Sequence, residues 1–237
     1  MELRRFYVTP EDIDGDVVTI RGNEYRHMTS VLRFKVGYLA IVCDNSGYDR
    51  YCTVTAIDKS TATLRVDSVI RNEAELPFPL TLCCGLIKDE RMEIAVQKAV
   101  EIGVTAIQPF HSLHTSEQSV RLDRLERIAL EACKQCGRAI LPTVYAPIPF
   151  EQLFETDRRY YMAYEREHNR LLRDVLSQPD GREIGLIVGS EGGFTDKEAA
   201  FAEEQGATLF SLGKRILRAE TASIVALGTI CAFTEEI

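Results

Sequence analysis

Hydrophobic and polar positions change their period once along the chain. Over the first 70 residues, apolar and β-branched residues fall in short runs at 17–20, 39–43, 51–57 and 62–69, the mark of strands. Asn45-Ser46-Gly47 makes a turn between two of these runs. The pattern at 24–32 predicts one short helix. Short strands separated by turns predict a small barrel. A linker at 71–78, with Pro77 and Pro79, follows, and then the period becomes mixed. Residues 80–87 predict a strand. Residues 90–102 predict a helix, with Met92, Ala95, Val96 and Ala99 on one face and Gly103 as its stop. A strand at 104–109 follows, then a helix at 121–136 capped by Gly137, a strand at 160–164 and a helix at 168–176. Alternating strands and helices of this length predict a parallel α/β sheet. The expected division is residues 1–72 and 73–237.

The stretch 183–228 carries the most chemistry. A buried strand at 184–188 ends in Gly189-Ser190-Glu191-Gly192-Gly193. Thr195 opens T-D-K-E, a capping box with Glu198 as the return partner, so a helix is expected to Gln205 with Gly206 as its stop. A second strand at 207–212 ends at Gly213, and K-R-I-L-R-A-E-T leads into a last apolar helix from Thr221. Two glycine-bearing strand-to-helix turns lie close together. Sheets of this kind bind ligands at the carboxyl ends of their strands. Paired glycines either let a ligand approach the backbone or only permit tight turns. The run lacks the G-x-G-x-x-G spacing, so a dinucleotide site is not supported.

Composition narrows the picture. The 237 residues suffice for one large domain or two unequal ones, and no apolar run is long enough to span a bilayer. Seven cysteines, an odd number, speak against a full disulfide set and for a reduced, cytoplasmic setting. The net charge is −8. Charges balance in residues 1–72, so the whole acidic excess lies beyond them. Phosphate contacts need cations; binding to naked nucleic acid should therefore be weak, and a folded ribonucleoprotein suits this charge better. Cys133-x-x-Cys136 lacks two further ligands at zinc spacing and fits a helical apolar face, so no metal is expected. No Ser-His-Asp or Cys-His nucleophile arrangement is evident.

Several stretches together resemble one family. These are RRFYV at the start, HMTSVLR from His27, KDERME from Lys88, QKAVEIGV from Gln97, EACKQCGR from Glu131, GSEGGF from Gly189 and LGKRILRAET from Leu212. Their combination resembles the bacterial 16S ribosomal RNA (uracil-N3) methyltransferases of the SPOUT superfamily, over nearly the whole chain. Two positions depart from the family pattern. Ser190 stands where the family usually has Pro, and His114 about where it usually has Arg. The resemblance implies an α/β fold whose SPOUT-type parallel sheet is trefoil-knotted, preceded by a PUA-like, RNA-binding β-barrel.

It further implies a homodimer that binds S-adenosyl-L-methionine and acts on 16S rRNA in the small ribosomal subunit. Gly189, Glu191, Gly192, Gly193, Leu212, Gly213, Ile216, Leu217 and Thr221 would line the cofactor pocket, with Tyr164 nearby. The catalytic candidates are Arg218, to stabilise a uracil anion, and Glu220, to orient Arg218 or help remove the proton. The RNA candidates are Arg4, Arg5, Arg26, His27, Arg33 and Arg138. Another SPOUT activity, ribose 2′-O or guanine N1 methylation, stays open, as does a non-enzymatic RNA-binding assembly factor.

Overall fold

The computed structural model describes residues 3–116 and 119–236. The chain divides into two compact units, Met1–Glu75 with Cys133–Leu141, and Leu76–Ala132 with Pro142–Ile237.

In the first unit β1 (Arg4–Tyr7), β2 (Ile13–Asp14), β3 (Val17–Ile20), β4 (Leu39–Cys43), β5 (Tyr48–Ile57) and β6 (Ala62–Arg71) form one sheet in the order β1-β4-β5-β6-β3-β2. Only the β1–β4 pairing is parallel. Register shifts at Tyr51/Cys52 and Val54/Ala56 put bulges into β5, and bulges bend and twist a strand. The sheet curls as a result. Phe6, Val18, Ile20, Ala40, Val42, Cys52, Val54, Ala62 and Leu64, drawn from five strands, meet in one buried cluster with Met28. The helix expected at 24–32 is two pieces, α1 (Gly22–Arg26) and a wider π turn at His27–Val31.

The last turn of a helix belongs to this unit too. Asn72 donates to the Gly137 carbonyl at 2.9 Å, and the Tyr7 hydroxyl donates to the Arg138 carbonyl at 2.6 Å. The Glu75 carboxylate accepts from Arg138 Nη2 at 2.7 Å and from the main-chain N–H of Ile140 at 3.0 Å. A single cut at 72/73 leaves this returning segment out.

The second unit holds β7 (Leu80–Gly85), α2 (Asp89–Ile102), β8 (Ala106–His111), α3 (Leu122–Cys136, whose last turn lies in the first unit), β9 (Thr143–Val144), β10 (Ile148–Pro149), β11 (Arg158–Ala163), α4 (Leu172–Val175), β12 (Glu183–Val188), α5 (Asp196–Glu204), β13 (Thr208–Phe210) and α6 (Ala219–Phe233). Its sheet runs β10-β8-β7-β12-β11-β13, every pairing parallel, with β9 also on β8. Gly103 takes the left-handed conformation that ends α2, and Thr195 and Glu198 form the expected capping box of α5. α2 and α6 pack together; α5 covers an aromatic cluster of Phe110, Phe150, Tyr160 and Phe194. This is the α/β fold with a parallel sheet that was expected. Among the described residues no helix is long and apolar enough to cross a membrane.

One expected helix is mostly absent. Of 168–176 only Leu172–Val175 is helical. The backbone upstream is committed to β13's extension: Ser211 N–H donates to the Arg170 carbonyl at 2.8 Å, and Leu172 N–H to the Ser211 carbonyl at 3.2 Å.

Candidate functional site

Parallel strands deliver their loops to one edge, and four loops of the second unit converge there. They follow β8, β11, β12 and β13. Gly85, the last residue of β7, makes the convergence possible. A Cβ there would stand 2.5 Å from the Ser190 nitrogen and 2.9 Å from the Gly189 carbonyl carbon, both main chain. The loop after β12 therefore lies directly across the end of β7.

That loop's glycines answer to protein neighbours. A Cβ on Gly192 would meet the His114 Cβ at 2.6 Å; one on Gly193, whose φ is +64°, would overlap the Glu165 carboxylate; one on Gly189 would press on the Phe194 ring at 2.9 Å. Glu191 points to Arg91, with Nη1–Oε1 at 3.0 Å. Tyr164 is buried, and its hydroxyl donates to Asp196. Burial and the Asp196 carboxylate both raise the phenol above its ordinary value.

The loop after β13 differs. Gly213 takes φ +102°, Ile216 is 91% exposed, and Leu212 and Leu217 are half-buried. The main-chain N–H groups of Lys214, Arg215, Ile216 and Leu217 make no hydrogen bond among the described residues. Arg218 is the N-cap of α6 and exposed; its carbonyl accepts from the Ala222 N–H at 2.8 Å, while its side chain makes no ion pair or hydrogen bond among the described residues. The adjoining first-turn N–H groups of a helix are unsatisfied and favour negative charge. Glu220 is 8% exposed, its Oε2 sealed in and without a partner. No bond joins Glu220 to Arg218, so the expected orienting contact is not present. Thr221 is exposed on the first turn of α6.

These features fit the expected cofactor better at one loop than at the other. Free amides and an exposed apolar side chain after β13 suit the edge and face of an adenine-like group, and the crowded glycine loop supplies a close wall. Burial pushes the thiols of Cys83 and Cys84 up to about 12, so neither serves as a nucleophile near neutrality. Beside the glycine loop opens a cavity of about 770 Å³, lined by His111, His114, Phe150, Arg166, Lys197 and other residues. None of the residues expected to hold the cofactor lines it.

The arginines of the first unit divide sharply. Arg4 and Arg33 are exposed, and Arg33 holds φ +55°, the left-handed region that a bulky side chain rarely adopts. Arg26 is exposed and donates to Asn23. Two of the expected RNA contacts are corrected. The Arg5 side chain is 7% exposed; it donates to both Asp49 oxygens and to Cys43 Sγ, the latter at 2.8 Å. Arg138 is 1% exposed and paired with Glu75. A buried guanidinium without such partners would be costly, so both side chains are held inside by their ion pairs and are not offered to RNA. His27 is half-buried, its ring edge-on to Phe6 with centroids 6.2 Å apart. Sequence reasoning gave no role to Arg91 or Glu165 and none beyond a family departure to His114, although all three shape the loop.

Comparison with known proteins agrees with this geometry. Residues 74–231 match the RNA methyltransferase domain family, and residues 20–67 the RNA methyltransferase PUA domain family. The ribosomal RNA small subunit methyltransferase E of Bacillus subtilis is 29% identical over 98% of both chains. The Synechocystis protein of that name is 34% identical, covering 98% of this chain and 78% of its own length. A crystal structure of the Neisseria gonorrhoeae enzyme, bound to S-adenosyl methionine, superposes with a TM-score of 0.89 at 31% identity over 98% of each chain.

A parallel sheet with convergent loops at its carboxyl edge, in a chain that also carries a curled PUA-type sheet, marks an RNA methyltransferase of the SPOUT class. Similarity over both units narrows the class. The chain belongs to the ribosomal RNA small subunit methyltransferase E family.

Proposed function

We propose that the protein transfers the methyl group of S-adenosyl-L-methionine to N3 of a uridine in 16S rRNA, in the cytoplasm, as a homodimer acting on the small ribosomal subunit. The observation that carries this reading is the likeness, along nearly the entire chain and through both units, to proteins named ribosomal RNA small subunit methyltransferase E. The bound cofactor supplies an electrophilic methyl group. The loop after β13 would hold it, through the free N–H groups of residues 214–217 and the apolar faces of Leu212, Ile216 and Leu217, and the glycine loop, Thr221 and Tyr164 would contribute the rest of the pocket.

The chain's own residues then deal with the uracil. N3 carries a proton, and its loss leaves negative charge on the ring oxygens. A guanidinium keeps its charge at any working pH, which makes Arg218 a poor base and a good partner for that anion. The N-terminal amides of α6 add to the same field. The sealed Oε2 of Glu220 would have to turn outward to reach the base. Of the expected RNA contacts in the first unit, Arg4, Arg26 and Arg33 are the arginines left to meet phosphate. The strained backbone of Arg33 supports such a role, because strain of this kind gathers at functional positions. The target base must leave its stack to enter.

Nucleosides from small-subunit rRNA of a deletion strain should lack one 3-methyluridine by mass analysis. Purified enzyme with the cofactor should restore it on isolated subunits. Loss of a ribose methyl or of 1-methylguanosine instead would assign a different SPOUT activity.

A further inference from the structure

The Gly192–Gly193 peptide is pinned from both sides by groups to which the chemistry above gives no task. A peptide between two glycines flips easily, since both residues enter left- and right-handed regions at little cost. Here the Gly193 N–H donates to the Ser190 carbonyl at 3.0 Å. The Gly192 carbonyl lies 2.9 Å from Nδ1 of His114. His114 is itself anchored. Its carbonyl accepts the Ser190 hydroxyl at 3.3 Å, and its Cβ occupies the space beside Gly192 where another Cβ would have to go. The turn that carries it is braced internally. Ser112 N–H donates to Thr115 Oγ1 at 2.8 Å, and Thr115 N–H to the Ser112 carbonyl at 3.1 Å. The neighbouring Leu113 N–H donates at 2.8 Å to Oε1 of Glu198, whose other oxygen closes the capping box of α5.

The bond to Gly192 fixes the tautomer. A carbonyl oxygen only accepts, so Nδ1 must carry the hydrogen. The lone pair of the neutral ring is then on Nε2, which has no partner among the described residues. Nδ1–H is present in the neutral and the charged ring alike, so the contact survives protonation.

We infer that His114 is a positioning residue whose Nδ1–H holds the Gly192–Gly193 peptide in the orientation that receives S-adenosyl-L-methionine. The inference rests on the cofactor assignment above, but its geometric half is open to test in cofactor-free protein. His114→Asn keeps an N–H donor close to the place of Nδ1, whereas His114→Gln moves the amide out to the place of Nε2. His114→Ala removes the donor altogether.

Amide hydrogen exchange at Gly193, calorimetric affinity for S-adenosyl-L-methionine and melting temperature should be measured on all three variants. His114→Ala should exchange Gly193 about tenfold faster and bind the cofactor about tenfold more weakly, the size of one neutral hydrogen bond, with the melting temperature little changed. His114→Asn should recover most of both effects and His114→Gln neither. Ring nitrogen shifts of the wild type should show the Nδ1–H tautomer. An Nε2–H ring, unchanged exchange in His114→Ala, or an Asn variant no better than Ala would overturn the inference. Faster exchange with unaltered affinity would also overturn it. A wild-type protein that binds no S-adenosyl-L-methionine would instead overturn the cofactor assignment itself.

Discussion

Arg218 and Arg5 are the same residue type put to opposite uses, and the contrast sets two predictions at the residue scale. Arg218 is exposed and unpaired at a helix N-terminus. Losing one preorganised donor at a developing anion costs about a hundredfold to a thousandfold in turnover. Single-turnover methyl transfer by Arg218→Ala should fall by that amount, with cofactor affinity and melting temperature near normal. Arg5 is interior. Burial raises its partner Asp49, but hydrogen bonds from Arg5 and Asn72 and the guanidinium charge outweigh burial and hold the carboxyl below the ordinary aspartate range. A folded value below the unfolded one stabilises fully above about pH 4 and is lost as the pH falls through the lowered value. Acid titration of the melting temperature should therefore show a drop below about pH 4 that Asp49→Asn flattens. The sequence offered no way to tell these arginines apart. Asp49 lies 44 positions from Arg5 and Glu75 lies 63 from Arg138, distances at which pairing is decided by the fold alone.

Elements with strong local signals were legible. The capping box at Thr195, the left-handed stop at Gly103 and the apolar stripe of α2 are each complete within a few residues, and each stands where expected. What failed depended on distant backbone. β1 was hidden because Arg4-Arg5-Phe6-Tyr7 looks too charged for a strand; its inward Arg5 is neutralised from β5. The helix at 168–176 shrank because β13 claims its first residues. The glycines were legible as a loop, but two of their causes, His114 and Glu165, come from other loops, and only Phe194 lies beside them in sequence. Gly85 gave no signal at all. Gly85→Ala would press a methyl into main chain that cannot yield cheaply, and overpacking of this kind costs about 1–3 kcal/mol. Calorimetric melting should shift down by several degrees, since about 2–4 °C follow each kcal/mol at this size. Cofactor affinity should fall with it as the glycine loop is displaced.

For the whole molecule, the net charge of −8 comes with many arginines already held in ion pairs. Arg50, Arg65, Arg91, Arg121, Arg124, Arg158, Arg159, Arg170 and Arg182 all sit in ion pairs. Each phosphate contact to single strands adds about −0.7 to the slope of log affinity against log salt. If Arg4, Arg26, Arg33 and Arg215 are the phosphate contacts, that slope should be shallow, about −3, and affinity for naked RNA low. Filter binding across a salt series checks it. A slope of about −8 would mean that other exposed cations, such as Lys35, Lys59, Arg71 and Lys197, meet RNA as well.

The return of Cys133–Leu141 to the first unit has a consequence for how the protein is made. Its barrel begins at the N-terminus, yet the partners of Tyr7, Asn72 and Glu75 are among the residues from Gly137 to Ile140. A ribosome adding about 5–20 residues per second needs roughly 3–13 s to pass from Leu76 to Leu141. Until then the nascent barrel carries an unanswered Glu75 carboxylate and an open flank. The N-terminal unit, first to be synthesised, is finished only when much of the catalytic unit has also left the exit tunnel. Folding on the ribosome is thereby tied to a late checkpoint in the chain, and a truncated product stalled before that point carries an incomplete barrel for quality control to recognise.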